Sequence, residues 1–231
     1  MKKFIKLIIL FLTIFLLPTL SHAEMPFSKG ETITYTIKKL GLKVGEASYV
    51  FNGLTEINNQ KAYLLTFTAK AFNFFDEEKI YFDPKTFYPI SVYRTLNIFG
   101  KKEKIQETYF HDKGEILITK HAKGETTTQT IKKIGPIDNL MCFIYRYRYS
   151  GKFQEGERLK MNLPTKDVTL QLKNKKNLKI KGKKQLTYYL QSIPNQYRLW
   201  FSTDSNKIPL RIDGALGPLK AKMIIKTYHK K

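Results

Sequence analysis

The sequence predicts an all-β protein: an antiparallel, strongly curved sheet, or an open half barrel, built from two related β-units with one short connecting helix. Three observations predict this class. Apolar and polar residues alternate along most of the chain, which is the period of half-buried strands. Turn-forming residues separate these segments at close spacing, which favours antiparallel hairpins over parallel crossovers. Two ordered sets of residues recur in both halves of the chain.

The alternating segments predict strands on both sides of the helix. Ile33, Tyr35 and Ile37 of the first strand show the pattern, because alternate side chains of a strand share a face. In chain order the predicted strands are 32–38, 47–51, 62–71, 79–82, 90–96, 105–110, 116–121, 158–163, 168–172, 178–181, 186–191, 197–202, 210–213 and 221–228. Turns are predicted at Asn58-Asn59, Asp83-Pro84, Asp112-Lys113-Gly114, Asn174 and Asp204-Ser205-Asn206.

One segment departs from the alternation and predicts a helix at about 137–149. Asp138 is expected to cap this helix, since its side chain can accept from the first free backbone N–H groups. The residues whose spacing places them on one helical face are Leu140, Phe143, Ile144 and Tyr147. We expect that apolar stripe to pack against the sheet.

The repeated residues define the two β-units. Phe27-Ser28-Lys29-Gly30-Glu31 is echoed by Phe153-Gln154-Glu155-Gly156-Glu157, and Tyr81-Phe82-Asp83-Pro84 leading to Pro89 is echoed by Trp200-Phe201-Ser202-Thr203-Asp204 leading to Pro209. An alternative is that each echo only reflects how strands begin and turn. The order of the set favours a repeat, with β-unit one at about 24–131 and β-unit two at about 150–231 of one domain, 24–231.

The first residues predict export. A basic start at Lys2 and Lys3, an apolar run over 7–17 and the small-x-small motif Ser21-His22-Ala23 have the pattern of a signal peptide over 1–23, cleaved after Ala23. The residue after the cut is Glu24 and not cysteine, so no lipid anchor is expected. We therefore expect a soluble protein of the periplasm.

The net charge and the cysteine content limit the classes of partner that are expected. The formal net charge is +22, and about +19 remains after the three lysines of the predicted signal are removed. A basic exported protein is expected to meet anionic lipid, lipoprotein or polysaccharide of the envelope, and not nucleic acid. Lysine excess of this kind equally fits a solvated surface. Cys142 is the single cysteine, so neither an internal disulfide nor a disulfide-linked partner is expected.

The sequence shows no catalytic motif. It contains no nucleophile elbow, phosphate-binding loop or metal-ligand spacing, so no enzyme activity, metal or cofactor is predicted. Cys142 is expected to be a small buried residue. Asp76, Glu77 and Glu78 form an acidic run that we interpret as a solvated turn or rim, because adjacent strand residues point to opposite faces.

Several of these segments together resemble a known family. The segments are Phe27-x-x-Gly30-Glu31, Leu40-Gly41-Leu42-Lys43-Val44-Gly45-Glu46-Ala47, Tyr81-Phe82-Asp83-Pro84 with Pro89, and Asp138-Asn139-Leu140 through Tyr145-Arg146. They resemble exported bacterial proteins of domain-of-unknown-function family 3108. The resemblance implies an exported all-β protein and no activity. The strands also look like those of periplasmic lipoprotein carriers, whose half barrel holds acyl chains beneath a helical lid; this likeness is one of fold only.

These observations favour a non-enzymatic binding or carrier protein for an amphipathic anionic envelope component, such as a lipid, a lipoprotein or a glycolipid. The candidate ligand-binding residues are Arg146, Arg94, Arg211 and Trp200, because arginine is rare in this lysine-rich chain and grips phosphate or carboxylate bidentately. A structural ion pair, for example between Arg146 and Asp138, is the competing interpretation. The alternative function is an interaction or scaffold module that docks on an envelope membrane protein, a protein complex or the cell-wall polymer, and a hydrolase ranks last.

Overall fold

The structure is a computed structural model that describes residues 25–216 and 221–230. The predicted signal peptide and its cleavage site lie outside the described residues. The described chain forms fourteen strands and one helix. Their bounds are β1 Thr32–Lys39, β2 Leu42–Ile57, β3 Gln60–Ala71, β4 Phe74–Phe82, β5 Pro89–Ile98, β6 Lys101–Phe110, β7 Glu115–Ala122, β8 Glu125–Lys132, α1 Leu140–Ser150, β9 Arg158–Leu163, β10 Lys166–Ile180, β11 Lys183–Ile193, β12 Arg198–Ser202, β13 Pro209–Asp213 and β14 Lys222–His229.

The strands form one antiparallel sheet in the order β8-β7-β6-β5-β4-β3-β2-β1-β14-β13-β12-β11-β10-β9. Every neighbouring pair is a hairpin except β1 and β14, which join the two halves at the centre with Tyr35 opposite Ile225. β8 and β9 stand at the two ends, so the sheet is not closed. This architecture confirms the predicted all-β antiparallel class with one helix.

The strands form because alternate residues are apolar and face the interior. In β1 the inner residues Ile33, Tyr35 and Ile37 are fully buried, while their neighbours are partly exposed. Facing residues of β2 and β3 continue the core with a stacked pair, Tyr49 and Phe67, whose ring centroids are 4.9 Å apart. Aromatic pairs of this kind add to the stabilisation from area burial alone.

The helix lies inside the curve of the sheet. Its N-cap is Asn139, whose side chain accepts a hydrogen bond from the backbone N–H of Met141 at 2.8 Å. Tyr145 contacts Phe27 and Phe51 from one half, and Tyr147 contacts Phe153 and Phe201 from the other.

The buried residues of α1 are Leu140, Met141, Cys142, Phe143, Ile144, Tyr145, Tyr147 and Arg148. No helix among the described residues is long and apolar enough to span a bilayer.

Four details of the prediction are wrong. Asp138 does not cap α1. The helix is buried on most sides rather than along one stripe, because both halves of the sheet wrap it. The strand β8 was missed, because seven of its eight residues are exposed and its threonine-rich sequence has no apolar alternation. The strands predicted at 168–172 and 178–181 are one strand, β10, and Asn174 lies within it at a bulge rather than in a turn.

The echoed segments have matching geometry in the two halves. The N–H of Gly30 donates to Phe51 O at 2.8 Å, and that of Gly156 donates to Leu172 O at 2.9 Å. The backbone φ angles of these glycines are 85° and 84°, values that only glycine adopts readily. The second echo shows the same match, since Asp83 N donates to Tyr88 O and Ser202 N donates to Ile208 O.

Candidate functional site

A cluster of ionisable side chains lies on the inner face of β4, β5 and β6. Arg94 donates through Nε to Asp76 Oδ1 at 2.8 Å and through its NH2 group to Asp76 Oδ2 at 2.6 Å. Glu78 Oε1 is 3.3 Å from Arg94 Nε. On the next strand, Tyr109 donates its hydroxyl hydrogen to Glu107 Oε2 at 2.6 Å. The register places these side chains together, because Glu78 pairs with Arg94 and Val92 pairs with Glu107 across neighbouring strands.

Glu78, Arg94, Glu107 and Tyr109 line a cleft of about 310 Å³ at the N-terminus of α1, and Asp76 lies behind Arg94. One wall is the sheet, the second is the start of the helix, and the third is the β9–β10 turn. The apolar lining residues include Val92, Ile118, Leu140, Met141 and Leu163. Polar groups contribute more of the cleft surface than these apolar residues do. The volume is at the lower end of the range of about 300–1000 Å³ that is usual for small-molecule sites.

The acids of this cleft hold their protons more tightly than usual. Burial raises the pKa of Glu78 to about 7, and the neighbouring Arg94 offsets part of that rise. Burial also raises the pKa of Glu107, partly offset by the hydrogen bond from Tyr109 and by Arg94. A carboxyl group that titrates near neutrality within a cleft is a frequent mark of a functional site.

The sequence-predicted residue Arg146 lies beside this cleft and is engaged in an ion pair. Its NH2 group is 2.7 Å from Asp138 Oδ1, and its guanidinium lies over the Tyr88 ring at 4.3 Å. Asp138 is 2% exposed. Burial raises the pKa of its carboxyl group, and Arg146 offsets part of the rise. Asp138 also lines the cleft, so Arg146 contributes to it by positioning that carboxylate.

Arg211 and Trp200 form a separate group on the other half of the sheet. The Arg211 guanidinium lies 4.2 Å from the centroid of the Trp200 ring, and it pairs with Asp213 through two hydrogen bonds of 2.8 Å. Strand alternation places Trp200 on the face opposite Leu199 and Phe201, away from α1. The structure therefore brings Arg94 and Arg146 together but leaves Arg211 and Trp200 apart from them.

Each predicted arginine is held by a carboxylate of the protein itself. Asp76 holds Arg94, Asp138 holds Arg146 and Asp213 holds Arg211. An anionic ligand would have to displace these carboxylates. Arg146 NH1 is buried without a hydrogen-bond partner among the described residues, and so is Asp138 Oδ1 apart from its ion pair with Arg146.

The expectation for the acidic run was wrong. Asp76 is buried at 2% exposure, and Glu78 lines the cleft. Neighbours on a strand do point apart, but residues two apart share a face, and that spacing joins Asp76 to Glu78. The same spacing in β6 joins Glu107 to Tyr109. Ionisable residues at alternate positions within apolar strands were the sequence signal for this site.

A second buried ion pair, also missed in the sequence, fastens the helix to the sheet. Arg148 donates from NH1 and NH2 to the two carboxylate oxygens of Glu31 at 2.7 and 2.8 Å, and both side chains are fully buried. Tyr145 and Tyr228 donate their hydroxyls to the same carboxylate at 3.2 and 3.3 Å. Arg148 also donates to the backbone oxygen of Asn206. With its donors and acceptors satisfied within the protein, this pair is structural.

Two further concavities lie elsewhere. One, of about 570 Å³, is between the β5–β6 and β7–β8 hairpins, and another, of about 710 Å³, is along β9 and the segment that precedes α1. The second of these shares Asp138 with the cleft, and neither is lined by Glu78, Arg94 or Glu107. Within 25–216 and 221–230, no three His, Cys, Asp or Glu side chains are grouped to bind a metal. Burial raises the pKa of the Cys142 thiol, which is enclosed within α1 and the core.

Comparison with models of protein families shows which family this chain belongs to. The model of the protein family of unknown function DUF3108 matches residues 32–224. The chain belongs to the DUF3108 family. No curated protein matches this DUF3108 chain.

Solved structures give the fold likeness of this DUF3108 member. The crystal structure of a β-barrel-like protein of domain of unknown function DUF1849 from Brucella abortus has a TM-score of 0.52 at 11% identity, covering 88% of this chain and 99% of that one. A protein described as exported, with a YmcC-like fold, from Bacteroides fragilis has a TM-score of 0.33 at 8% identity, covering 89% and 98%. The first likeness shows a β-barrel-like fold.

Proposed function

We propose that this protein is a non-enzymatic binding protein of the periplasm that holds the polar group of an amphipathic envelope molecule in the cleft at the N-terminus of α1. The observation that carries the proposal is the convergence of Glu78, Glu107, Arg94 and Tyr109 on one cleft. Structural ion pairs alone do not require a solvent-filled space, whereas a binding site does.

The chemistry of the lining favours a polar group that both donates and accepts hydrogen bonds. Glu78, with its pKa of about 7, is present near neutrality both as a carboxylate and as a protonated acid, and the guanidinium that could grip an anion is occupied by Asp76. Sugar hydroxyls meet this requirement, and the rings of Tyr109 and Tyr197 line the same cleft. Among the lipid, lipoprotein and glycolipid classes considered above, a glycolipid fits the lining best, with its overall negative charge facing the basic surface.

Internal storage of acyl chains has less support. In a carrier, the concave face would be an apolar cavity under a lid. Here α1 occupies that space, with Tyr145 packed against Phe51 of one half and Tyr147 against Phe153 of the other. The cleft of about 310 Å³ suits a head group, leaving the chains outside.

The test is native mass spectrometry of the protein purified from its own periplasm, followed by extraction and identification of any bound molecule. We expect a stoichiometric glycolipid, lost when Glu78→Gln and Glu107→Gln are combined. Glu77→Gln is the matched control, because Glu77 is adjacent on the same strand and points to the opposite face. Loss of the molecule from the control as well, or a ligand-free mass for the wild type, would refute the proposal.

A second candidate function, carboxylate-catalysed hydrolysis of an envelope polymer, is favoured by one observation. Glu78, with its pKa of about 7, is suited to proton transfer at neutral pH. The same extraction separates the two functions. A binding protein releases its ligand chemically intact, whereas a hydrolase releases fragments, and Glu78→Gln then leaves the polymer uncut.

A further inference from the structure

One rim of the sheet carries large apolar side chains at the tips of three consecutive hairpins. We define the apolar rim as Leu40, Leu42, Phe72 and Phe99, which are 96%, 72%, 86% and 72% exposed. They belong to the β1–β2, β3–β4 and β5–β6 turns, which lie at the same end of the meander. The tips are adjacent, because Phe99 N donates to Asn73 O at 2.8 Å and Gly45 of β2 pairs with Ala71 of β3.

Two of these residues occupy backbone positions that disfavour them. Leu40 and Phe99 each precede a glycine in a two-residue turn, with φ of 50° in both cases. Such turns prefer Asn, Asp or Gly at that position, because a side chain with a bulky Cβ substituent is strained at positive φ. At the opposite rim the β2–β3 turn has Asn58-Asn59, the preferred type. Folding alone therefore does not account for Leu40 and Phe99.

Lysines surround the apolar rim. Lys39, Lys43, Lys101 and Lys102 are exposed and lie within three residues of a tip, and Lys123 is at the tip of the next hairpin. Lys43 is paired with Glu46 at 2.8 Å. Apolar tips with a basic collar are complementary to the interface of a bilayer that contains anionic lipid, where apolar groups enter the acyl boundary and lysines meet head groups.

We propose that the apolar rim docks the protein on an anionic phospholipid bilayer. In this pose Leu40, Phe72 and Phe99 insert between head groups while the lysines contact lipid phosphates. The proposal concerns a surface formed by hairpin tips and does not depend on the cleft at α1. It names the surface through which the protein contacts the membrane.

The test is co-sedimentation of the mature chain, beginning at Glu24, with vesicles of equal parts phosphatidylglycerol and phosphatidylethanolamine. The rim variant combines Leu40→Asn, Phe72→Ser and Phe99→Asn. Asn is preferred at both positive-φ positions, so this variant should unfold at the same or a higher urea concentration than the wild type. We expect its partition coefficient to fall on the order of 100-fold, since three large apolar side chains no longer leave water.

The control variant replaces exposed apolar residues away from the rim: Leu54→Ser, Ile134→Ser and Leu186→Ser, which are 56%, 100% and 44% exposed. It should bind like the wild type. Wild-type binding should weaken in raised salt and on vesicles of phosphatidylcholine alone, because both reduce the attraction for lysine. Unchanged binding by the rim variant, an equal loss in the control, or no binding by the wild type would each overturn the proposal.

Discussion

At the scale of single residues, burial sets the chemistry of the cleft. Asp76 holds Arg94 bidentately, which leaves Glu78 deep in the cleft with a longer contact to the same guanidinium. Moving a carboxylate out of water disfavours its charged form, and the cation of Arg94, which Glu78 shares with Asp76, offsets only part of that effect. The pKa of Glu78 therefore rises to about 7.

This shift predicts a pH dependence of stability. The pKa of Glu78 is about 7 in the folded protein and about 4.5 when unfolded, so between these values the folded state binds more protons. The contribution of Glu78 is thus fully present below about pH 4.5 and is lost as the pH rises through about 7. Glu78→Gln should flatten the fall in the free energy of unfolding over this window.

Urea unfolding at a series of pH values measures that slope. Glu107 and Asp138 have pKa values raised by burial and add slopes of the same sign, so the comparison of interest is the difference between wild type and variant. Glu77→Gln, on the opposite face, should leave the slope unchanged. Identical slopes for wild type and Glu78→Gln would mean that this carboxyl is not perturbed.

At the scale of elements, α1 is held by one buried ion pair between Arg148 and Glu31. The pair joins the helix to the entrance of β1, and Tyr228 extends it to β14. Its hydrogen bonds offset the desolvation of two charges, so removal of one partner leaves the other charge buried and unpaired.

The helix attachment gives a second stability prediction. Glu31→Gln should lower the free energy of unfolding by about 3–5 kcal/mol, the usual cost of breaking a buried pair from one side. Glu46→Gln removes the acid of the exposed pairs with Lys43 and Lys226, and should change the free energy of unfolding far less, because water screens exposed ion pairs. Urea unfolding of the two variants checks the contrast. Equal effects would show that the Glu31 site is as solvated as the surface pair.

The elements themselves were largely predictable, and the exceptions have physical causes. Strands with one buried face, such as β1, can be predicted from the alternation of apolar and polar residues. β8 does not, because it is an edge strand exposed on both faces and stabilised by pairing with β7. The helix was found from its apolar spacing, but spacing could not show that two half-sheets enclose it. Its cap was misassigned because Asp138 and Asn139 are both good caps, and the ion pair with Arg146 decides between them.

At the scale of the whole molecule, the sheet is a meander whose terminal strands meet in the middle. Because β14 pairs with β1, residues far apart in sequence, such as Glu31, Arg148 and Tyr228, share one interior. The sequence could suggest which residues face inward but not which ones meet across strands. The competing interpretation of Arg146, an ion pair with Asp138, is present in the structure, while ligand binding by the candidate arginines stays a prediction. The cleft acids that accompany Arg94 were not identified from the sequence.

The most direct test of the binding cleft follows the methyl groups of methionine. Met141 lines the cleft, whereas Met223 is fully buried on β14 and is not part of its lining, so the two give an internal comparison. The measurement is a methyl NMR spectrum of the ¹³C-methionine-labelled protein, before and after addition of a solvent extract of bacterial envelope. We expect the Met141 signal to shift and the Met223 signal to stay in place. A spectrum in which Met141 does not move, while other signals do, would contradict binding at the N-terminus of α1.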